Sequence, residues 1–195
     1  MVGSMDGRET LIAMARTDFV ERSPLTRDAL NFAASMHAGQ TRDSIPFVAH
    51  PVEVACLLHE AGYSDEVVAA GVLHEVLEAT DVERPELEER FGPAVAALVA
   101  AVSADPSIED DAMRKAALRS QVAHAGDEAA AVFAADKVSK ARELRARARH
   151  GRFQRSDEGK LGHYRASLDM LSELIPGHPL VEQLREELGA VHGLP

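Results

Sequence analysis

The fold of this chain is decided by one stretch, VVAAGVLHEVLEA, at residues 67–79. Almost every position in it is apolar, which is typical of a helix at the centre of a bundle. The exceptions are Gly71, His74, Glu75 and Glu78, and their spacing places them on one face of a helix. Burying two carboxylates is costly unless they are paired or bind a cation. The stretch therefore predicts either a divalent metal site on a central helix or the solvent-facing side of that helix.

Helical patterns continue on both sides of this stretch. Ser23 followed by Pro24 is a typical helix start, and the apolar face that follows ends at His37–Gly39. A loop is predicted from Gln40 to Pro51, because prolines interrupt it. Further helices are predicted over residues 52–61, about 65–79, 85–91, 93–102, 108–125, 127–149, 157–174 and 180–191. Strand signals are absent from the pattern, so the predicted fold class is all-α, a compact bundle of about eight or nine helices.

Composition limits the classes of function. The chain has 195 residues, 46% of them hydrophobic, which predicts a single domain with one core. A net charge of −11 argues against a protein that coats nucleic acid, and no apolar run approaches the roughly 18 residues of a membrane span. With one cysteine, Cys56, and no signal pattern at the N-terminus, we expect a cytoplasmic protein with neither nucleic acid nor membrane as a partner.

Two further features are unusual for a protein of this charge. Nine basic residues stand against three acidic ones from Lys137 to Lys160, which predicts either an anion-binding surface or a solvated basic helix end. Asp136 lies within an apolar helical pattern, either as a surface residue paired with Lys140 or as a metal ligand. Histidines and carboxylates on apolar helices form a donor set that suits a divalent ion such as Mn²⁺ or Fe²⁺.

The order of these residues resembles the H…HD…D pattern of HD-domain metal-dependent phosphohydrolases. FAASMHAGQTR at residues 32–42 is similar to the opening FA…HxGQxR of that family, and PFVAHPVEVA at 46–55 is similar to its PYxxHPxxVA. AAGVLHEVLEAT at 69–80 follows AAxLHDVxEDT, and AADK at 134–137 with Arg142 follows LADKxxNxR. Together the motifs resemble the small, Rel/SpoT-type alarmone hydrolases.

The resemblance implies both an architecture and a reaction. The architecture is a single HD domain over 1–195, with a flexible N-terminal segment over 1–22, an HD core over 25–145 and C-terminal helices over 150–195. The reaction is metal-dependent removal of pyrophosphate from the 3′ position of guanosine tetra- or pentaphosphate, so the expected partner is a phosphorylated nucleotide. The expected cofactor is one divalent metal, Mn²⁺ first, with Fe²⁺ or Zn²⁺ as alternatives.

Site residues are carried over by position in the motifs. The implied metal ligands are His37, His74, Glu75 and Asp136. His50 is expected to support the ligands without binding the metal itself. Glu78 is expected to orient or deprotonate the attacking water. The residues expected to hold phosphate are Arg42, Lys137, Lys140 and Arg142.

The chain also departs from the family pattern. The ligand carboxylate is Glu75, one methylene longer than Asp, and the second acid of the ED pair is replaced by Ala79. Asp43 follows Arg42, Phe47 replaces the tyrosine, and Lys140 replaces the asparagine of the last motif. Two hypotheses follow, an HD hydrolase acting on a phosphorylated nucleotide, or a degenerate HD domain that binds a nucleotide or metal without turnover. A third alternative is a purely structural or interaction protein, in which the polar face has no role.

Overall fold

The computed structural model describes residues 20, 23–42, 45–46 and 49–192. Of the N-terminal segment expected to be flexible, all but Val20 lies outside the described residues. Asp43 and Phe47, two of the departures from the family pattern, also lie outside them.

Within the described ranges the chain forms ten α-helices and one pair of two-residue strands, which confirms the all-α fold class. The elements are α1 (Pro24–Met36), β1 (Thr41–Arg42), β2 (Ile45–Pro46), α2 (Ala49–Glu60), α3 (Asp65–Leu73), α4 (Val76–Ala79), α5 (Arg84–Phe91), α6 (Pro93–Val102), α7 (Asp111–Ala125), α8 (Asp127–Arg149), α9 (Arg155–Leu174) and α10 (Pro179–His192). Among the described helices, none has both the length and the apolar character needed to cross a membrane.

Side-chain caps mark several of these starts, and the one at Ser23 was predicted from the sequence. The Ser23 hydroxyl accepts from the Thr26 amide at the start of α1, and the Asp110 carboxylate accepts from the Met113 amide at the start of α7. The sequence did not predict the strands β1 and β2, which pair antiparallel with Thr41 opposite Pro46. A pairing of two residues is too short to produce the alternating pattern by which strands are recognised.

The helix expected over residues 65–79 is interrupted at His74 and Glu75, so the prediction of one continuous polar face is wrong. The Nδ1 of His74 donates to the Gly71 carbonyl at 2.7 Å and competes there with the helical hydrogen bond. α3 therefore ends at Leu73, and α4 begins at Val76. His74 and Glu75 are buried at this break, whereas Glu78 is exposed.

The centre of the bundle is formed by α3 and α8. Helix α3 packs against α1, α2, α6 and α8, while α8 packs against α2, α3, α6, α7, α9 and α10. Gly71 allows α2 to approach α3 closely, because a Cβ at this position would overlap with Leu58 Cδ1. This close packing brings the first turn of α2 next to the break after α3.

Candidate metal centre

Four polar side chains from three parts of the chain meet beside this break. They are His50 in the first turn of α2, His74 and Glu75 at the break itself, and Asp136 in the middle of α8. One nitrogen or oxygen atom from each lies within 4.8 Å of the others. All four residues are buried, with between 4% and 8% of their surface exposed. Buried polar groups need partners, so the composition of this cluster must be explained.

The distances within the cluster are short. Asp136 Oδ1 lies 3.0 Å from His50 Nε2 and 3.3 Å from His74 Nε2. The two Nε2 atoms are 3.2 Å apart, and Glu75 Oε1 is 4.0 Å from His50 Nε2. Two imidazole nitrogens and two carboxylate oxygens form a donor set that suits Mn²⁺, Fe²⁺ or Zn²⁺.

Hydrogen bonds behind the cluster define which ring nitrogen of each histidine carries a proton. The Nδ1 of His74 faces the Gly71 carbonyl, which can only accept, so Nδ1 donates there. The Nδ1 of His50 lies 2.9 Å from Ser139 Oγ, and Ser139 donates its one proton to Glu53 Oε2 at 2.8 Å. Ser139 must therefore accept from His50. In the neutral rings both Nε2 atoms thus carry lone pairs that face the same point.

Electrostatics keep His50 neutral and both carboxylates ionised. Burial lowers the pKa of His50 below its ordinary value, although the nearby Asp136 carboxylate acts in the opposite direction. Burial alone would raise the pKa of Glu75, but the positive charges nearby, with Lys140 first among them, together outweigh it and lower the pKa to about 2. Burial would likewise raise the pKa of Asp136, but Lys137 and Lys140 contribute to holding this pKa well below its ordinary value.

His37 does not belong to this group of four. It caps the C-terminal end of α1, and its Nδ1 lies 3.1 Å from Oε1 of Gln40, three residues further along. His50 instead stands beside the other three residues, because α2 packs directly against α8 and its first turn faces Asp136. The described structure thus brings together three of the four expected ligands, with His50 beside them, and metal binding by His37 stays a prediction.

A cavity of about 320 Å³ opens beside the cluster. His74, Glu75 and Asp136 form part of its wall. Five basic side chains from three helices form another part, namely Arg114 and Lys115 of α7, Lys137 and Lys140 of α8, and Lys160 of α9. The same wall carries the carboxylates of Glu75, Glu78, Asp111 and Asp136, so the cations exceed the acids by one. A divalent metal bound to the acids would increase this excess, which favours a compact, multiply charged anion as the occupant.

The basic stretch from Lys137 to Lys160 is divided between the cavity and the helix packing. Arg142 does not line the cavity; it donates to Glu53, Gln183 and Glu187, at 2.9, 3.1 and 3.2 Å. It therefore connects α8 with α2 and α10. The side chain of Arg42 lies outside the part of the structure that is described.

Glu78 lies at the rim of the cavity. Its Oε1 accepts a hydrogen bond from the Ala104 amide at 2.6 Å. On its other side a shallow groove is lined by Met36, Ala79 and Glu86, among others. Glu78 is thus held by the backbone at the boundary between the cavity and solvent, where a water molecule can approach it.

Sequence reasoning gave no role to several residues of the cavity wall, among them Arg114, Lys115, His163 and Tyr164. Arg114 and Lys115 form a basic pair on an otherwise ordinary surface helix, and only the packing of α7 and α9 on α8 shows their proximity to Asp136. His163 accepts at Nδ1 from Arg119, and burial together with nearby cations lowers its pKa to about 3. It therefore lines the cavity as a neutral ring.

Comparison with known proteins places this geometry in a family. The model of the HD domain family matches residues 29–159, about two thirds of the chain. The chain belongs to the HD domain family. The matched part of this HD domain includes all four clustered residues, Glu78 and four of the five basic residues of the cavity. The fifth, Lys160, lies one residue beyond it.

Named relatives of this HD domain include short and long proteins. Human MESH1, a guanosine-3′,5′-bis(diphosphate) 3′-pyrophosphohydrolase, is 38% identical over 125 residues, which cover 60% of this chain and 68% of that protein. A probable guanosine-3′,5′-bis(diphosphate) 3′-pyrophosphohydrolase from Synechocystis sp. is 45% identical over 76 residues, 38% of this chain and 10% of that protein. The chain thus spans about a tenth of the long bacterial relatives, with 11% for the bifunctional (p)ppGpp synthase/hydrolase SpoT of Escherichia coli.

The fold of the HD domain is also found among solved structures. A metazoan ortholog of SpoT, described as hydrolysing ppGpp, superposes with a TM-score of 0.75 at 26% identity, over 89% of this chain and 98% of that one. The protein lmo0812 from Listeria monocytogenes gives a TM-score of 0.67 at 25% identity, over 77% of this chain and 99% of that one.

Proposed function

We propose that this HD domain is a metal-dependent phosphohydrolase acting on a phosphorylated nucleotide, with guanosine 3′,5′-bis(diphosphate) as the substrate. Water attacks the phosphorus attached to the 3′ oxygen, the 3′ oxygen is the leaving group, and pyrophosphate is released. The observation that carries the proposal is the pair of Nε2 atoms of His50 and His74, 3.2 Å apart. Two lone pairs cannot hydrogen-bond to each other, and two ionised carboxylates stand beside them. A divalent cation would satisfy all four groups at once.

The metal ligands in this proposal are His50, His74, Glu75 and Asp136. Mn²⁺ is the first choice of metal, with Fe²⁺ or Zn²⁺ as alternatives, because each accepts mixed imidazole and carboxylate ligands. A bound metal of this kind lowers the pKa of a coordinated water and neutralises charge on a phosphoryl oxygen. Ser139 and the Gly71 carbonyl orient the two histidine rings for this task.

The other residues of the cavity supply positioning and proton transfer. Glu78, held by the Ala104 amide, accepts the proton of the attacking water. Lys137, Lys140 and the cations of α7 and α9 balance the charge of the phosphates, which is the main requirement for catalysis of phosphoryl transfer. Arg142 has a structural role in this proposal, since it contacts acids and an amide outside the cavity.

The choice of substrate is supported by two kinds of observation. Human MESH1 and the Synechocystis protein are named for the hydrolysis of the 3′ pyrophosphate of this nucleotide. The cavity has cations on three helices, which suits a substrate with phosphates at more than one position. A cytoplasmic location is part of the proposal, and it is supported by a single cysteine, Cys56, that is buried as a thiol in α2.

A second candidate function is binding without turnover. It is favoured by Ala79, which stands where the family pattern has a second acid, and by Lys140, whose ammonium contacts both Glu75 and Asp136. A domain of this kind would bind the nucleotide or the metal and release no product.

The test combines metal analysis with a hydrolysis assay on the same preparations. Wild-type protein, His74→Ala and the control His59→Ala are purified without chelator, analysed for metal and incubated with guanosine 3′,5′-bis(diphosphate) and Mn²⁺. His59 is an exposed histidine on α2. We expect stoichiometric metal and pyrophosphate release in the wild type and the control, and loss of both in His74→Ala.

Two results would contradict the proposal in different ways. Metal binding without release of pyrophosphate in the wild type would favour the binding-only candidate. Hydrolysis that survives in His74→Ala would show that the four clustered residues are not the metal centre.

A further inference from the structure

Lys140 occupies an unusual position for a residue expected to bind phosphate. It lies one helical turn after Asp136 on α8, and its Nζ is 2.8 Å from Asp136 Oδ1 and 3.1 Å from Glu75 Oε1. These are the same two oxygens that face the histidines, since Asp136 Oδ1 is also 3.0 Å from His50 Nε2. The ammonium thus bridges two of the four atoms that would bind a metal.

The neighbouring Lys137 uses the other oxygen of the same carboxylate. Its Nζ contacts Asp136 Oδ2, and it packs over the ring of Phe133 at 4.2 Å from the ring centroid. Its side chain is 6% exposed, against 22% for Lys140, which also lines the cavity. Lys137 is therefore enclosed next to Oδ2 of Asp136 and leaves Oδ1 accessible. Lys140 instead contacts Oδ1 and borders the cavity.

The positive charge of Lys140 affects the two carboxylates that it contacts. Two buried carboxylates repel each other when no cation lies between them, and an ammonium in contact with both removes this repulsion. A divalent cation bound to the same two oxygens would in turn repel an ammonium a few ångströms away. The lysine and the divalent cation thus compete for the same oxygens.

We propose that Lys140 is a built-in counter-ion of the metal centre. It holds Glu75 and Asp136 in place when no divalent cation is bound, and it moves into the cavity when one binds. There its ammonium is available to a phosphate oxygen of the substrate. The inference rests on the proposed function in one respect, namely that His50, His74, Glu75 and Asp136 bind a divalent cation.

The inference predicts that Lys140 weakens metal binding. We would titrate Mn²⁺ into chelator-treated wild type, Lys140→Asn and Lys115→Asn by calorimetry. Lys115→Asn is the matched control, since it removes one positive charge from the same cavity wall but its ion pair is with Asp111, not with the ligand carboxylates. We expect Lys140→Asn to bind Mn²⁺ about 10- to 100-fold more tightly than the wild type, and the control to stay within about threefold of it.

A measurement on the wild type alone covers the case in which Lys140→Asn does not fold. The protein is labelled with an amine-reactive reagent with and without Mn²⁺, and the modification of each lysine is measured by mass spectrometry. We expect Mn²⁺ to increase the labelling of Lys140 severalfold, because its ammonium leaves the carboxylates, while labelling of Lys115 stays unchanged. Constant or reduced labelling of Lys140 in the presence of bound Mn²⁺ would overturn the inference.

The outcomes separate this inference from the proposed function. Equal or weaker Mn²⁺ binding by Lys140→Asn than by the wild type overturns the role of Lys140 and leaves the metal centre intact. Mn²⁺ binding that is detected in Lys140→Asn but not in the other two proteins supports the inference, because Lys140 then prevents metal binding. Absence of Mn²⁺ binding in all three proteins overturns both.

Discussion

Two clusters of charged side chains lie on α8 within two helical turns, and they are organised in opposite ways. Around Asp136 the atoms that face each other are nearly all acceptors, with two histidine nitrogens and two carboxylate oxygens within 4.8 Å. Around Arg142 donors and acceptors are matched, since the guanidinium donates to Glu53, Gln183 and Glu187. The first cluster keeps an excess of acceptors although Lys137 and Lys140 contact Asp136, whereas the groups of the second cluster are matched.

The difference shows that a concentration of charge does not by itself indicate a ligand site. Both clusters were candidates for phosphate or metal binding on the basis of charged residues on one helix. The Arg142 cluster is complete without a ligand, and it connects three helices. What marks the Asp136 cluster is the excess of acceptors, which Lys140 reduces but does not remove.

One side chain joins the two clusters. Ser139 accepts from Nδ1 of His50 and donates to Glu53, and the other carboxylate oxygen of Glu53 accepts from Arg142. The matched cluster therefore holds one histidine of the acceptor-rich cluster in its orientation. This link allows the comparison to be tested by changing one residue at a time.

The largest effect is expected from Glu78→Gln, which removes a proton acceptor at the rim of the acceptor-rich cluster and leaves its four atoms intact. The amide oxygen of glutamine can still accept from the Ala104 amide, but it cannot take a proton from water. We expect hydrolysis of guanosine 3′,5′-bis(diphosphate) to fall about 10²- to 10⁴-fold, with unchanged metal content. Rates are measured by chromatography of the products.

The matched control for this change is Glu86→Gln. Glu86 is an exposed acid in the groove on the other side of Glu78, outside the cavity. The Glu86→Gln protein should hydrolyse the nucleotide at the wild-type rate. Unchanged turnover in Glu78→Gln would remove Glu78 from the mechanism.

The fold could be predicted from sequence because its signals are local. The bounds of α8 are those predicted, 127–149, and α1, α6 and α9 agree within two residues, since caps, prolines and apolar spacing operate over a few positions. The interruption of α3 at His74 was missed because it depends on a side chain that takes a backbone carbonyl, which periodicity does not reveal.

The candidate site was only partly predictable for a related reason. His74, Glu75 and Asp136 stand out in sequence because each interrupts an apolar pattern. The proximity of His50 to these three residues could not be predicted, because it depends on the packing of α2 against α8, which is a tertiary fact. The sorting of the basic residues also required the fold, since Lys140 and Arg142 are two residues apart but contact different partners.

The next largest effect is expected from Ser139→Ala, which cuts the link between the clusters. His50 then loses the acceptor that fixes its tautomer and its ring orientation. Removal of the hydrogen-bond partner of a metal-binding histidine typically costs about 10- to 100-fold in metal affinity. We expect a loss of that size for Mn²⁺, measured by calorimetry.

Ser167→Ala provides the comparison for Ser139→Ala, because Ser167 is also a buried helical serine but donates to the backbone of its own helix. Its Mn²⁺ affinity should equal that of the wild type. If Ser139→Ala binds Mn²⁺ as tightly as Ser167→Ala, His50 is held in place without the matched cluster, and the two clusters are independent.

Arg142→Met is expected to have the smallest effect on the site. It is also the clearest test of the difference between the two clusters. This change breaks the ion pairs with Glu53 and Glu187, and because the Arg142 side chain is 29% exposed we expect a loss of only about 1–2 kcal/mol in the free energy of unfolding. Denaturant unfolding measures this loss, and the exposed pair of Arg185 with Glu182 is the control, since Arg185→Met should leave the free energy of unfolding close to the wild-type value.

The functional readout of Arg142→Met decides between a structural and a phosphate-binding role for this arginine. The guanidinium lies outside the cavity, so KM for the nucleotide should stay at the wild-type value while stability falls. A KM raised as much as by removal of a cavity cation such as Lys160 would mean that Arg142 contacts substrate. A Mn²⁺ affinity lowered as far as in Ser139→Ala would instead mean that the matched cluster and the acceptor-rich cluster act as one unit, because the arginine then controls His50 through Glu53 and Ser139.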